Sequence, residues 1–218
     1  TGTDRIQLVH RCGDERVSLA SWSGDSQRLA TFTPNDEIVH VWDVLTGAEV
    51  HRFAADAAWI GLDPRGTHLY VLQRKSSPQY TTVLTLVDVG ASRVVDATAL
   101  PSLQLARISP DERYVAVAGG QRTALLDGDD LSVLHEAPFK GFPVAIAFRA
   151  DSNEWAVSWA IINEIFGGSS GVKAWDCDSG VVTLDAPAHP GWNDGWTLAY
   201  RSDGALLAGN SVFEPLGR

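Results

Sequence analysis

Short apolar runs alternate with polar turns along the whole chain, and the alternation repeats. The first full cycle, Ser18 to Phe53, reads SLASWSGDSQRLATFTPNDEIVHVWDVLTGAEVHRF. Leu19 and Trp22 lead into the turn Ser23-Gly24-Asp25, Leu29 and Ala30 open a second run, and a turn with Asp36 opens a third. The third run ends in Trp42-Asp43, and a Thr46-Gly47 turn precedes a fourth run, Val50 to Phe53. Each run has the length of one strand and each gap carries turn residues. Later cycles align when each is anchored on its first turn, at Asp25, Arg65, Asp111, Asp151 and Asp203. The spacings are 40, 46, 40 and 52 residues. Three positions before the anchor stand Trp22, Leu62, Ile108, Phe148 and Tyr200; five before stand Ala20, Ile60, Ala106, Ile146 and Leu198. Four after stand Leu29, Leu69, Val115, Trp155 and Leu207; five after stand Ala30, Tyr70, Ala116, Ala156 and Ala208. All twenty are apolar or aromatic. The step of two before the anchor is the strand period, with one face turned inward.

The third runs end alike, in Trp42-Asp43, Val87-Asp88, Leu126-Asp127, Trp175-Asp176 and a degenerate Phe213-Glu214. Turns follow at Thr46-Gly47, Gly90, Gly128 and Ser179-Gly180, and fourth strands are expected near Val50–Phe53, Arg93–Ala97, Ser132–His135 and Val181–Leu184. This Trp-Asp cycle of about 40–45 residues resembles a WD repeat, one four-stranded blade of a β-propeller. The resemblance covers essentially the whole chain. It implies an all-β fold of about five blades, near 17–53, 57–97, 103–135, 143–184 and 195–214. The last of these lacks a fourth strand, and the opening TGTDRIQLVHR reads like the end of a repeat. In WD propellers an N-terminal strand commonly completes the last blade, so Asp4–His10 is expected beside Ser211–Glu214, closing the ring and hiding both sheet edges. An open set of blades belonging to a larger propeller is the other reading. In many WD repeats a His, a Ser or Thr, an Asp and the Trp form a buried hydrogen-bond chain; in the first blade His10, Thr31, Asp36 and Trp42 are the residues for those places. Such a chain is structural, not catalytic.

Composition narrows the function. The formal net charge is −10 over 218 residues, which argues against nucleic acid and anionic membranes as partners, since phosphate binding needs clustered Lys and Arg. Apolar content of 44% is enough for a sizeable core. No run approaches the roughly 18 apolar residues of a membrane span. The two cysteines, Cys12 and Cys177, build neither a disulfide framework nor a zinc pattern, which fits a cytoplasmic protein. The chain holds no Met and no signal peptide, so a processed piece, or part of a longer protein, is expected.

In a four-stranded blade the second-to-third loops share one end with the connections to the next blade. Two segments at that end are long: Gln73–Thr82, with Arg74, Lys75 and Tyr80, and Trp159–Gly171, with Trp159 and Phe166. The connection before the fifth blade adds Trp192. Inserts on one face of a repeat array mark a binding face, and aromatic and Arg residues are enriched at interface hot spots. Against this, Trp159 also fits the second strand of its blade, packed inward, and Arg74 and Lys75 fit a solvated tip.

Catalytic readings fare worse. Gly167-Gly168-Ser169-Ser170-Gly171 matches Gly-x-Ser-x-Gly, but a strand and not a helix follows the serine, so no nucleophile elbow is expected. Asp127-Gly128-Asp129-Asp130 and Asp176-Cys177-Asp178 fall at blade turns and lack the later Glu of a calcium loop. The six histidines show no metal-ligand spacing. The expectation is a non-catalytic scaffold or sensor module without cofactor or metal. Its partner would be a protein or peptide, or other domains of a longer parent chain, held on the loop end or in the central opening. A small-molecule-binding or hydrolytic propeller is the alternative.

Overall fold

The computed structural model describes residues 17–75, 81–138, 141–161, 169–187, 198–208 and 211–214. Among them are nineteen strands in five antiparallel sheets and no helix. None of these elements is therefore a helix long and apolar enough to cross a membrane. The first sheet comprises β1 (Leu19–Trp22), β2 (Arg28–Thr33), β3 (Ile38–Asp43) and β4 (Glu49–Ala54). The second holds β5 (Ala57–Leu62), β6 (His68–Lys75), β7 (Thr81–Asp88) and β8 (Arg93–Pro101). The third holds β9 (Leu103–Ile108), β10 (Tyr114–Gly119), β11 (Arg122–Asp127) and β12 (Val133–Pro138). The fourth holds β13 (Phe142–Phe148), β14 (Glu154–Ile161), β15 (Ser169–Asp176) and β16 (Val182–Pro187). The fifth has three strands, β17 (Leu198–Tyr200), β18 (Leu206–Ala208) and β19 (Ser211–Phe213). In each sheet the strands follow one another in chain order. The chain divides into two compact units, Thr1–Pro101 with the first two sheets and Ser102–Arg218 with the other three.

Three of the outer strands run further than the sequence suggested, to Pro101, Pro138 and Pro187 rather than to Ala97, His135 and Leu184. Proline has no N–H to give a further ladder position, so it is tolerated at the end of an edge strand and stops it there.

The repeat is built from turns that side chains hold. At the first turn Ser23 Oγ donates to Asp25 Oδ1 (2.6 Å), and the Gln27 N–H donates to the same carboxylate (3.0 Å). Ser109 and Asp111 repeat this in the third sheet, while Arg149 with Asp151 and Arg201 with Asp203 replace the serine by a guanidinium. The second sheet has Arg65 at the anchor, and Asp63 takes over, accepting from Thr67 Oγ1 (2.6 Å) and the His68 N–H (3.0 Å). The residue after every anchor has a left-handed backbone: Ser26 (φ 61°), Gly66 (68°), Glu112 (69°), Ser152 (59°) and Gly204 (89°). That conformation is unfavourable for a non-glycine residue, and the hydrogen bonds to the neighbouring carboxylate compensate. The acid that ends the third strand holds the next turn. Asp43 Oδ1 accepts from the Thr46 N–H (2.8 Å) and hydroxyl, Asp88 from the Ala91 N–H (2.8 Å), Asp127 from the Asp129 N–H (2.8 Å) and Asp176 from the Ser179 N–H (2.9 Å). The Asp of the Trp-Asp pair is thus a turn residue.

Within each unit, neighbouring sheets pack face to face. In the first unit Ala30, Phe32, Val39 and Val41 of the first sheet meet Ile60, Leu62, Leu69 and Val71 of the second. In the second unit Tyr114, Ala116 and Leu125 meet Phe148, Trp155, Val157 and Trp175. Ala156, Val172 and Ala174 then meet Leu206 and Ala208. Each fully buried Val, Leu, Ile or Phe among them adds about 1.5–3 kcal/mol. One rule runs through all three contacts. A sheet turns the face with the residue three before its anchor, and the second-strand residue paired with it, toward the preceding sheet, and its opposite face toward the next.

Two expectations are corrected here. Ala20 and Trp22 were read as inward, yet both are exposed, Trp22 by 55%. They lie on the face of the first sheet that turns away from the second, where no described residue of their unit packs on them. In the fifth sheet Tyr200 pairs with Leu206, where Trp22 pairs with Leu29, because the anchor turn is one residue shorter. Leu206 and Leu207, not Leu207 and Ala208, therefore stand where Leu29 and Ala30 stand in the first sheet, and of the three Leu206 and Ala208 are buried while Leu207 is half-buried. A one-residue slip exchanges the faces of a strand. Phe213 pairs with Leu206 as Trp42 pairs with Leu29, so Phe213-Glu214 does occupy the Trp-Asp position. The segment 4–10 lies outside the described residues, and β19 has no fourth-strand partner among them.

Candidate functional site

Two hairpins outgrow the rest. β2–β3 and β10–β11 are built from six-residue strands, β6–β7 and β14–β15 from eight-residue strands. The ladders all start at the acid-held end, with pairs such as His68 opposite Asp88 and Glu154 opposite Asp176. The extra pairs are therefore at the other end, where Lys75 stands opposite Thr81 and Ile161 opposite Ser169. This moves the boundaries of both candidate loops. Gln73, Arg74 and Lys75 belong to β6, and Thr81 and Thr82 to β7. Trp159 to Ile161 belong to β14, and Ser169 to Gly171 to β15. Alternating side chains and β-branched residues carry the ladder on past the point where the sequence turns polar.

The candidate residues fall out as follows. Arg74 is exposed, opposite Thr82, and its N–H donates to the Asp56 carbonyl (3.1 Å). Trp159 is half-buried and packs against the Phe148, Trp155 and Trp175 cluster, with its ring across Gly171. A Cβ on Gly171 would come within 2.5 Å of that ring, so the glycine is there to admit it. Beside Trp159, the exposed Phe142 stands opposite Ala160. Tyr80, Phe166 and Trp192 lie outside the described residues. Ser169 and Ser170 are strand residues opposite Ile161 and Ala160, so the Gly-x-Ser-x-Gly stretch forms no nucleophile elbow.

The hydrogen-bond set around the first Trp-Asp pair is more extensive than the sequence suggested. Trp42 Nε1–H donates to Thr31 Oγ1 (2.9 Å), and Thr33 Oγ1 donates to Asp36 Oδ1 (2.9 Å). His40 Nε2 donates to Asp36 Oδ2 (3.2 Å), its ring stacks on Trp42 with centroids 5.7 Å apart, and its Nδ1 lies 3.4 Å from Glu49. His10 lies outside the described residues. His40 was missed, although it stands two residues before Trp42 and so shares its face of β3.

Among the described residues, the ionisable groups with clear shifts are held by structural contacts. Bonds from Thr46 and Arg28 hold Asp43 down to about 2, and the Arg201 guanidinium holds Asp203 down to about 2. Burial and a 2.8 Å bond to Asp178 push Tyr114 up to about 12. Burial, and next its bond to Glu154, raises Tyr200 further. Burial pushes the Cys177 thiol up to about 12, which disfavours the nucleophilic thiolate. Among the described residues no group of three or more His, Cys, Asp or Glu side chains is placed to hold a metal ion.

No family model matches the sequence, and no curated protein matches it. Solved structures do. Hydrazine synthase from Kuenenia stuttgartiensis aligns with 98% of this chain and 62% of its own, with a TM-score of 0.66 and 17% identity. A eukaryotic initiation factor aligns with 95% of this chain and 55% of its own, with a TM-score of 0.62 and 13% identity. The chain therefore spans less than two thirds of either. At such identities the likeness establishes the fold alone, an all-β arrangement of the β-propeller kind.

Proposed function

We propose that this chain is a non-catalytic interaction module: a WD-type propeller segment of about five blades that holds a protein or peptide partner at the loop end of its sheets. The observation that carries the reading is the lengthening of the β6–β7 and β14–β15 hairpins, each at the end of its own sheet away from the acid-held turn. A repeat array gains a binding surface by local insertion on one face while its frame stays constant. Arg74, Lys75, Tyr80, Trp159, Phe166 and Trp192 are the residues proposed for contact, with Phe142 added by its exposure beside Trp159. The turn acids support the same reading, since their hydrogen bonds go to blade turns. Trp42, Thr31, Asp36 and His40 act as blade cement, and His10 belongs with them in this reading. The segment Asp4–His10 supplies the outer strand that β19 lacks. The module works in the cytoplasm, free or as one domain of a longer chain.

The test trims both hairpins to the length of β2–β3, removing the two extra residue pairs and residues 76–80 and 162–168. Proteins enriched on the intact chain are compared with those on the trimmed chain at equal thermal midpoint. A partner held by the first and lost from the second supports the proposal; an unchanged set of partners contradicts it.

A further inference from the structure

Two histidines occupy the same place in the repeat. His51 is the third residue of β4 and His135 the third residue of β12. Each stands opposite the residue just before the register shift of its third strand, Val41 and Leu125. Each ring reaches the next sheet of its own unit, at the turn after that sheet's third strand. His51 Nδ1 lies 3.0 Å from Ser92 Oγ. His135 Nε2 donates to the Asp178 carbonyl (3.2 Å), and its ring lies against Gly180, where a Cβ would come within 2.7 Å of Nδ1. Ser92 and Gly180 are themselves equivalent: each ends the turn that begins at Asp88 or Asp176, and each has a left-handed backbone, with φ of 52° and 67°. At the same place in the fourth sheet stands Leu184, which packs on the core side chains shared with the fifth sheet. This position therefore ties a sheet to its successor, through an imidazole on β4 and β12 and through an apolar side chain on β16.

The two imidazoles differ at the second nitrogen. Nε2 of His51 is shielded from solvent and has no hydrogen-bond partner, whereas neither nitrogen of His135 is in that state. A neutral ring can leave one nitrogen unpaired. A protonated ring carries two N–H groups and would here bury one of them without an acceptor. The charged groups around His51 are Glu49 and Arg52 on its own strand, paired with each other at 2.6 Å, and Asp88 at the end of β7, which itself lies near His68 and Arg93. The two carboxylates favour a charged ring, but burial outweighs them and holds His51 below its ordinary value of 6.5. We propose that His51 is an acid-released latch between the first and second sheets: neutral, it ties β4 to the β7–β8 turn through Ser92, and a proton taken up by the ring frees that turn. The sign follows from linkage. A folded value below the ordinary one means that the contribution of His51 is full above pH 6.5 and is lost as the pH falls from there through the folded value. This inference depends neither on the hairpin surface nor on the number of blades.

Hydrogen exchange tests it, read at amides that bond across the contact. The Asp25 N–H donates to the Pro64 carbonyl (2.9 Å), and the Leu62 N–H donates to Ser21 Oγ (3.0 Å). The Asp111 N–H, which donates to Ser152 Oγ between the third and fourth sheets (3.3 Å), is the internal reference. Protection, corrected for the intrinsic pH dependence of exchange, is followed from about pH 7.5 to about pH 5. In the wild type the protection of Asp25 and Leu62 is expected to fall relative to Asp111, by at most about tenfold per pH unit, the limit for one proton. His51→Asn keeps an amide near the place of Nδ1 and does not titrate, so its ratio is expected to stay constant. A wild-type ratio that does not change with pH overturns the proposal, and so does an equal fall in His51→Asn. Should that variant fail to fold, the ring resonances of His51 in the wild type decide: a titration midpoint below 6.5 supports the latch, and one at or above 6.5 overturns it.

Discussion

The fourth and fifth sheets belong to one unit and one repeat, and they end in different states. In the fourth, β15 lies between two strands and two sheets; Trp175 is 2% exposed and stacks on Trp155 with centroids 4.5 Å apart. In the fifth, β19 is an edge strand among the described residues, Phe213 is half-buried, and Val212 faces solvent. The pairing register is the same. Burial in this chain is therefore a property of the neighbour as much as of the sheet, as expected where each repeat contacts only the next. A residue such as Val212 can satisfy the apolar pattern and still remain uncovered.

The largest expected effect breaks that comparison at its most buried point. Trp175→Ala should lower unfolding free energy by about 3–5 kcal/mol in urea titration. Phe213→Ala, at the equivalent position, should lower it much less, and equal losses would mean that β19 is as enclosed as β15. Next comes the first blade. Thr31→Val removes the acceptor of the Trp42 indole and should cost about 1–3 kcal/mol, the range for a buried donor left unsatisfied. An unchanged stability would show that Trp42 finds another acceptor. The smallest effect concerns the turns. The folded pKa of Asp43 is depressed from 3.8 to about 2, so the carboxylate stabilises the fold above the higher value and loses that contribution as pH falls through the lower one. The margin of the wild type over Asp43→Asn, followed by thermal midpoint, should be constant at neutral pH and vanish between pH 4 and 2. A margin that persists below pH 2 would mean that Asp43 acts through something other than its charge.

Much of the fold was legible because a blade is specified locally. Asp25, Asp111 and Asp151 mark turns whose chemistry needs an acid, and the apolar pairs around them follow the strand period. Arg65 misled less than it might have, since Asp63 two residues earlier does the same work. The failures have physical causes. Trp22 carries the pattern of an inward residue, but the pattern records the face and not whether a neighbour covers it. In the fifth sheet a turn one residue shorter shifted the positions after the anchor, a change that only pairing reveals. The hairpins at β6–β7 and β14–β15 extend through Thr81, Thr82, Ser169 and Ser170, polar residues that read as loop and that a ladder accepts. Of the candidate site, Arg74 falls within β6 and Trp159 on β14, the strand it also fitted, while His40 went unnoticed behind the more distant His10.

The most direct measurement separates frame from surface. Asp176→Ala removes a turn acid, and the trimmed β6–β7 and β14–β15 hairpins remove the proposed surface. Both are measured for thermal midpoint and for retention of a partner enriched on the intact chain. The account predicts a crossed result: Asp176→Ala lowers the midpoint and keeps the partner, while the trimmed chain keeps its midpoint and loses the partner. A trimmed chain that retains the partner, or an Asp176→Ala chain that loses it at an unchanged midpoint, would contradict the account.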